Sequence, residues 1–379
     1  MYYKPDWEQI KKRLEAFWNN EILDRCCIAI CSPRKSSKWP SYATLQTGPW
    51  IGELEKFNDD DVESIKKWWV DPEENYRRTI DWMENTYFGG EALPVTSINW
   101  GAMAMAAFYG SKPVFTKKTV WYPPVIKDWD TWEWNFNEET NEYWTQIKRI
   151  IQYFIERDNG DYFIGMPEFG TPGDVLSLLR GMDKLCIDLI EYPEKVKEAI
   201  DILGDTWIKL HEEIYTMTFH LNDGGAVLAW MSLWAPGRID QLACDFSSLI
   251  SPEMFKEFFV PEIEKLGGWT EYGMYHLDGP ACMNNHLDTL LGVSQIKAIE
   301  YTPGEGSPPT FSPQYIPKYK KIQASGKGLY LLAEINEVEL ILNELSPKGL
   351  FISTHADSED EAKELLRRVG KWSVKRRFF

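Results

Sequence analysis

The chain has 379 residues, 44% hydrophobic and 26% charged, which excludes a disordered chain and suits one large globular domain or two ordinary ones. With 58 acidic against 41 basic side chains, the formal net charge of −17 argues against nucleic acid and anionic membrane as partners, because phosphate binding needs clustered Lys and Arg. The 18 Trp, 18 Tyr and 18 Phe fit either a heavy aromatic core or a site that stacks flat ligands.

The first residues, MYYKPDWEQIKKRLEAFW, carry Lys and Glu throughout and no apolar run, so no secretory address is read there. The least polar stretch, Ile98 to Gly110, is too short to cross a bilayer, and the expected location is the cytoplasm. Trp7, Ile10, Leu14, Phe17 and Trp18 fall on one face of a helix. The segment CCIAIC holds Cys26, Cys27 and Cys31; a metal knuckle would need a second Cys or His cluster nearby, so these read as small buried residues. Residues 33–53 are broken by Pro, Gly and Ser and read as a loop, and a second helical patch covers 62–88. The first ninety residues are therefore expected to form a helical N-terminal extension.

From about residue 94 the texture changes to short apolar runs alternating with amphipathic helices, which predicts a parallel sheet. The runs are 94–100, 162–166, 226–231, 239–244, 273–277, 295–301, 328–334 and 348–353. Ser251-Pro252-Glu253 opens one helix with a cap, a Pro in the first turn and an acid. Another opens at Asp357 and is expected to close by Gly370, after Arg367 and Arg368. Spacings near the roughly 30 residues of a βα unit make the expected fold α/β, a (β/α)8 TIM barrel over 91–379 with the 1–90 extension in front. A doubly wound open sheet is the alternative, but no glycine-rich fingerprint opens a helix after a strand.

In a barrel, chemistry sits at the carboxyl ends of the strands. Here those positions carry His276 and Asp278, then Glu300, then Glu334, then His355, and two of the chain's five histidines are among them. Nitrogen and carboxylate donors of this kind suit zinc, and His276, Glu334 and His355 are the expected metal set. Each residue taken singly serves equally well as a helix cap or an ion-pair partner. His286 is expected on a helix surface. His211-Glu212-Glu213 begins like the H-E-x-x-H zinc-protease helix, but Tyr215 stands at the last position, so that reading fails.

The stretch GRIDQLACDFSSLISPEMFKEFFVPEIEKLGGWTEYGMYHLDG, from Gly237 to Gly279, resembles the uroporphyrinogen decarboxylase superfamily. Its Asp is Asp245, its helix start is Ser251-Pro252-Glu253, and its strand end is His276-Leu277-Asp278-Gly279. PEFGTPGDVLSLLRGMDKLCIDLIEYPEKVKEAID looks like the segment that precedes it in that family, so the likeness runs in order over about 160 to 370. The R-Q-A-G-R segment of true uroporphyrinogen decarboxylases does not occur, which points to the corrinoid methyltransferase branch. That branch binds zinc through His-x-Cys and a later Cys; here His276 holds the His position, Asp278 the first Cys position and His355 the second, so harder ligands replace both thiolates. Twenty residues separate Glu334 and His355, similar to a metal motif of corrinoid-dependent aryl ether demethylases.

The resemblance implies a zinc-dependent methyltransferase component that demethylates a small methyl ether, alcohol or amine and hands the methyl group to a corrinoid carried by a partner protein. Asp278, Glu300 and Asp245 are the expected catalytic acids, and Trp100, Trp230, Trp234 and Tyr301 the expected substrate walls. A homodimer is the expected assembly. Two other readings stand beside it: a cofactor-free decarboxylase or lyase using Asp245 and His276 on a non-porphyrin substrate, and a noncatalytic ligand-binding barrel.

Overall fold

The computed structural model describes residues 1–47 and 54–375; the rest of the loop read at 33–53 lies outside them. The strands that position the site are β1 (Cys27–Pro33), β2 (Thr86–Gly90), β3 (Val95–Thr96), β4 (Phe163–Ile164), β5 (Ala226–Leu228), β6 (Ile239–Leu242), β7 (Tyr272–Asp278), β8 (Ile296–Thr302), β9 (Gly328–Leu332) and β10 (Leu350–His355). Seven of them form one sheet in the order β2-β1-β10-β9-β8-β7-β6, parallel throughout except for β2 against β1. The central strands are buried on both faces, which is why they read as unbroken apolar runs such as Leu350-Phe351-Ile352.

All eight runs expected as strands are strands, within a few residues. The fold is mixed α/β with a mostly parallel central sheet. A closed barrel is not shown. β3 pairs with β4 as a separate parallel ladder, and one bridge, Met166 to Leu228, links the turn after β4 to β5. β3 and β4 have two residues each, and Pro94, just before β3, has no N–H to extend a ladder.

The first ninety residues are not wholly helical, contrary to the sequence reading. Trp7–Trp18 is the expected helix, with Trp7, Ile10, Leu14 and Phe17 buried. CIAICSP is a strand, too short and too evenly apolar for an amphipathic helix, and it pairs with β10 so that Cys31 faces His355 in register. The 62–88 patch is two helices, Val62–Val70 and Pro72–Asn85, followed by β2. Residue 90 thus separates no independent extension, since β1 and β2 belong to the main sheet. Buried charges tie the segment down: Lys4 Nζ donates to the carbonyls of Phe88 (2.7 Å) and Gly90 (2.5 Å), and Glu91 accepts from the Ile28 N–H at 2.7 Å and pairs with Arg25 at 2.6 Å.

Ser251 caps its helix as expected, its side chain accepting from the Met254 N–H. The last helix, Glu359–Lys375, passes through Gly370 instead of stopping there. His286 is buried rather than exposed: its Nε2–H donates to the Ser247 carbonyl at 2.9 Å, and its ring lies 4.3 Å from Phe255. Among the described residues, no helix is long and apolar enough to cross a membrane.

Candidate active site

Two adjacent parallel strands create the centre of the site. In register, His276 on β7 faces Glu300 on β8, and Asp278 faces Thr302. Strand alternation puts all four side chains on one face of the sheet, while Leu277 and Tyr301 point to the other. His276 Nδ1–H donates to Glu300 Oε2 at 2.5 Å, and Thr302 Oγ1–H donates to Glu300 Oε1 at 2.7 Å. Glu300 is fully buried, and these two donors compensate the loss of water around its carboxylate. Burial opposes a charge on His276, but the hydrogen bond and charge of Glu300, with Asp245 and Asp278, win and push its pKa up to about 9. At neutral pH the ring is an imidazolium whose Nε2 remains for a ligand. Trp230 stands edge-on to it, centroids 5.3 Å apart, and its Nε1–H is fixed on Gln241 Oε1 at 2.6 Å.

Asp245 opens the short turn Asp245–Leu249 after β6. Its Oδ1 is buried without a hydrogen-bond partner among the described residues. Burial and the negative charge of Asp174, assisted by Asp278 and Glu168, outweigh the pull of His276 and raise the carboxyl to about 7. The site therefore sets a charged imidazole beside an acid poised to give up its proton near neutrality.

A second layer holds this arrangement. Thr171-Pro172-Gly173-Asp174 starts the helix Pro172–Arg180, which ends at Gly181, whose φ of 93° suits a residue without a side chain. Asp174 accepts from Thr171 Oγ1 (3.0 Å) and from the N–H groups of Asp245 (3.0 Å) and Phe246 (2.8 Å). Beside Trp230 lies a small cavity of about 20 Å³ bordered by Glu168, Phe169, Trp207, His211 and Asp240. Burial raises the Glu168 carboxyl, against the opposing charge of His276.

Of the residues singled out in the sequence, His276, Glu300, Asp278, Asp245 and Trp230 come together here. The expected metal set does not. His355 Nε2 and Glu334 Oε2 lie 3.9 Å apart with 40% and 69% of their side chains exposed, and His355 stacks on Tyr42 at 4.3 Å. No group of three or more His, Cys, Asp or Glu among the described residues is placed to hold a metal ion. Trp100 and Trp234 are in the core, Trp100 edge-on to Phe115 and Trp234 edge-on to Trp7, and Tyr301 is buried against Tyr315. Sequence reasoning missed Glu168, Asp174 and Gln241. Glu168 lies four residues past β4, farther from its strand than the chosen acids from theirs, and the T-P-G-D helix start is the signal for Asp174.

No family model matches the chain, and no curated protein matches it. Among solved structures, the fold is similar to that of a methyltransferase from Methanosarcina mazei, with a TM-score of 0.60 over 96% of this chain and 98% of that one. The two share a fold. At 15% identity the likeness goes no further.

Proposed function

We propose that the protein is a methyltransferase of a corrinoid system, built on a barrel-like α/β fold, that removes a methyl group from a small methyl ether, alcohol or amine. The observation that carries the reading is the fold held in common with a methyltransferase over nearly the whole of both chains. The resemblance to the corrinoid branch supports the acceptor, a reduced corrinoid on a partner protein, which supplies the nucleophile.

The chain's own residues have definable parts. The donor binds over His276, with Trp230 as an apolar wall that keeps water from the methyl carbon. When the bond from carbon to oxygen breaks, its electron pair stays on oxygen, and the Asp245 carboxyl gives its proton there. The imidazolium of His276, held by Glu300, stabilises the carboxylate left behind. The expected zinc is assigned no step, because its residues do not fit one ion: Glu334 and His355 face solvent, 69% and 40% exposed, and no three His, Cys, Asp or Glu among the described residues converge. A second reading, a decarboxylase, is favoured by the same pair of proton donors, Asp245 and His276.

Reduced cobalamin mixed with the protein and a panel of methanol, methoxyarenes and methylamines tests the proposal by visible spectroscopy. Methylated corrinoid should form with at least one donor, and Asp245→Asn should slow transfer from oxygen by about 100-fold or more. No methylation with any donor, together with CO2 release from a carboxylated substrate, would replace the first reading by the second.

A further inference from the structure

A wider recess adjoins the cavity beside Trp230, and Ser97 and Glu168 border both. The inner cavity, at about 20 Å³, has room for about one water. The recess measures about 450 Å³, a size that small-molecule sites commonly have. Six residues of its wall, Ser97, Asn99, Gly101, Ala102, Lys118 and Thr119, come from one stretch of chain, residues 92–127. That stretch carries Lys112, Lys117, Lys118 and Lys127 and no Asp or Glu, in a protein with 58 acidic side chains.

The charges of the wall are therefore unlike those of the whole. On the hairpin that pairs Val114 with Trp121, Lys117 binds Asp59 at 2.7 Å, whereas Lys118 is exposed and has no ion-pair partner among the described residues. Arg78, on the helix Pro72–Asn85, adds a fixed positive charge: it is 1% exposed, its Nη1–H donates to the Trp68 carbonyl at 2.8 Å, and its guanidinium lies 3.7 Å from the centre of the Trp68 ring. Trp69 supplies a flat wall, its ring fixed by an Nε1–H bond of 2.8 Å to the Thr116 carbonyl. Among the described residues of the wall, Glu168 is the only acid. It accepts from Asn99 Nδ2 at 3.3 Å, and burial moves its carboxyl toward the uncharged form. The net charge of −17 does not keep an anion out, because salt at physiological strength screens exposed charges beyond about 8 Å. An anion in the recess responds to the wall.

We propose that this recess binds a small aromatic carboxylic acid, its carboxylate paired with Lys118, its ring against Trp69, and its far end at Ser97 and Glu168, on the side of Trp230. Lys118 is a compact ammonium with three donors, suited to one carboxylate. Joined to the methyl-transfer reading, on which this one consequence rests, the inference makes the methyl donor an acid. The binding itself stands without it.

Calorimetric titration with benzoate and its neutral isostere benzamide, at constant ionic strength, is the test. Neither ligand carries a methyl group to transfer, so the result is separate from that of the methylation assay. Benzoate should bind at least about tenfold more tightly than benzamide, the ratio expected of one charge-assisted hydrogen bond. Lys118→Gln should weaken benzoate by about tenfold and leave benzamide as it was. Lys112→Gln, on the same hairpin segment but outside the recess, should change neither. Both lysines are exposed, so the circular dichroism spectrum of each variant should match that of the native protein. Equal binding of the two ligands, no binding of benzoate, or benzoate binding that Lys118→Gln leaves intact or Lys112→Gln weakens as much, overturns the proposal.

Discussion

Asp174 binds the backbone N–H groups of Asp245 and Phe246, at 3.0 and 2.8 Å, so the carboxyl that fixes the Asp245 turn also supplies negative charge that raises the Asp245 side chain. The position of Asp245, and the part of its raised pKa that burial does not supply, thus owe much to one residue on another helix. This makes Asp174 a positioning residue, acting on the reaction through Asp245.

Asp174→Asn should separate the two effects. Without the charge, Asp245 ionises more readily, and the loss of activity that accompanies its deprotonation near pH 7 moves to lower pH. The amide oxygen keeps one N–H, and the other loses a strong acceptor, which costs about 1–3 kcal/mol of stability. The pH profile of methyl transfer, with urea unfolding alongside, reads both. A profile that keeps its midpoint while stability falls would reduce Asp174 to a structural role.

The bond between His276 and Glu300 should show in stability as a function of pH. The folded protein holds the His276 proton more tightly than the unfolded chain, whose imidazole titrates near 6.5. The stabilisation is therefore complete below that pH and is lost as pH rises through about 9. A shift of that size corresponds to something on the order of 3 kcal/mol. Glu300→Gln should be less stable than the native protein at pH 6, and the gap should close by pH 10. Parallel curves of midpoint against pH would contradict this assignment of the proton.

Much of this arrangement was legible in the sequence, and what was not has identifiable causes. The parallel strands β7 to β10 announce themselves as apolar runs, and a His or acid at a strand end is conspicuous, so His276 and Glu300 were found. Their partnership follows from register, which no periodicity reveals. Glu334 and His355 also fall just at or beyond strand ends, but the chain there turns toward solvent, and exposure is a property of the packed fold. β1 was hidden because helices flank it in sequence and both its partners are distant, β2 beyond two helices and β10 more than 300 residues away. Asp174 lies on a helix that packs beside the 245 turn, a contact invisible to a reading along the chain.

Glu334→Ala and His355→Ala should each be tolerated. Their 3.9 Å contact is solvated, and such pairs contribute at most about 1 kcal/mol. For His355 the stacked ring of Tyr42 adds contact area but no buried charge. Thermal midpoints within a few degrees of the native value, and zinc content per chain by elemental analysis unchanged in either variant, are the expected results. Loss of a stoichiometric zinc in His355→Ala would restore the metal set read from the sequence.

Trp234 separates a structural role from a substrate-binding one. It is fully buried and packs edge-on to Trp7 at 5.3 Å, and its Nε1–H donates to the Asn222 carbonyl at 2.9 Å. Asn222 in turn exchanges two hydrogen bonds of 2.8 Å with the backbone of Ile164, so the indole helps to hold β4 and the first helix against β5. Trp234→Ala removes a large ring from a site walled by other rigid rings, which should cost about 3–5 kcal/mol. Trp234→Phe keeps most of the volume and loses one hydrogen bond, the Asn222 carbonyl still accepting from the Gly225 N–H at 3.2 Å, which should cost about 0.5–1.5 kcal/mol. Trp234 is in the core and does not border the cavity beside Trp230, so below its lowered unfolding temperature the Phe variant should transfer methyl groups as the native protein does. Denaturant midpoints and one assay of methyl transfer decide it: slowed transfer with unchanged stability would return Trp234 to the substrate wall.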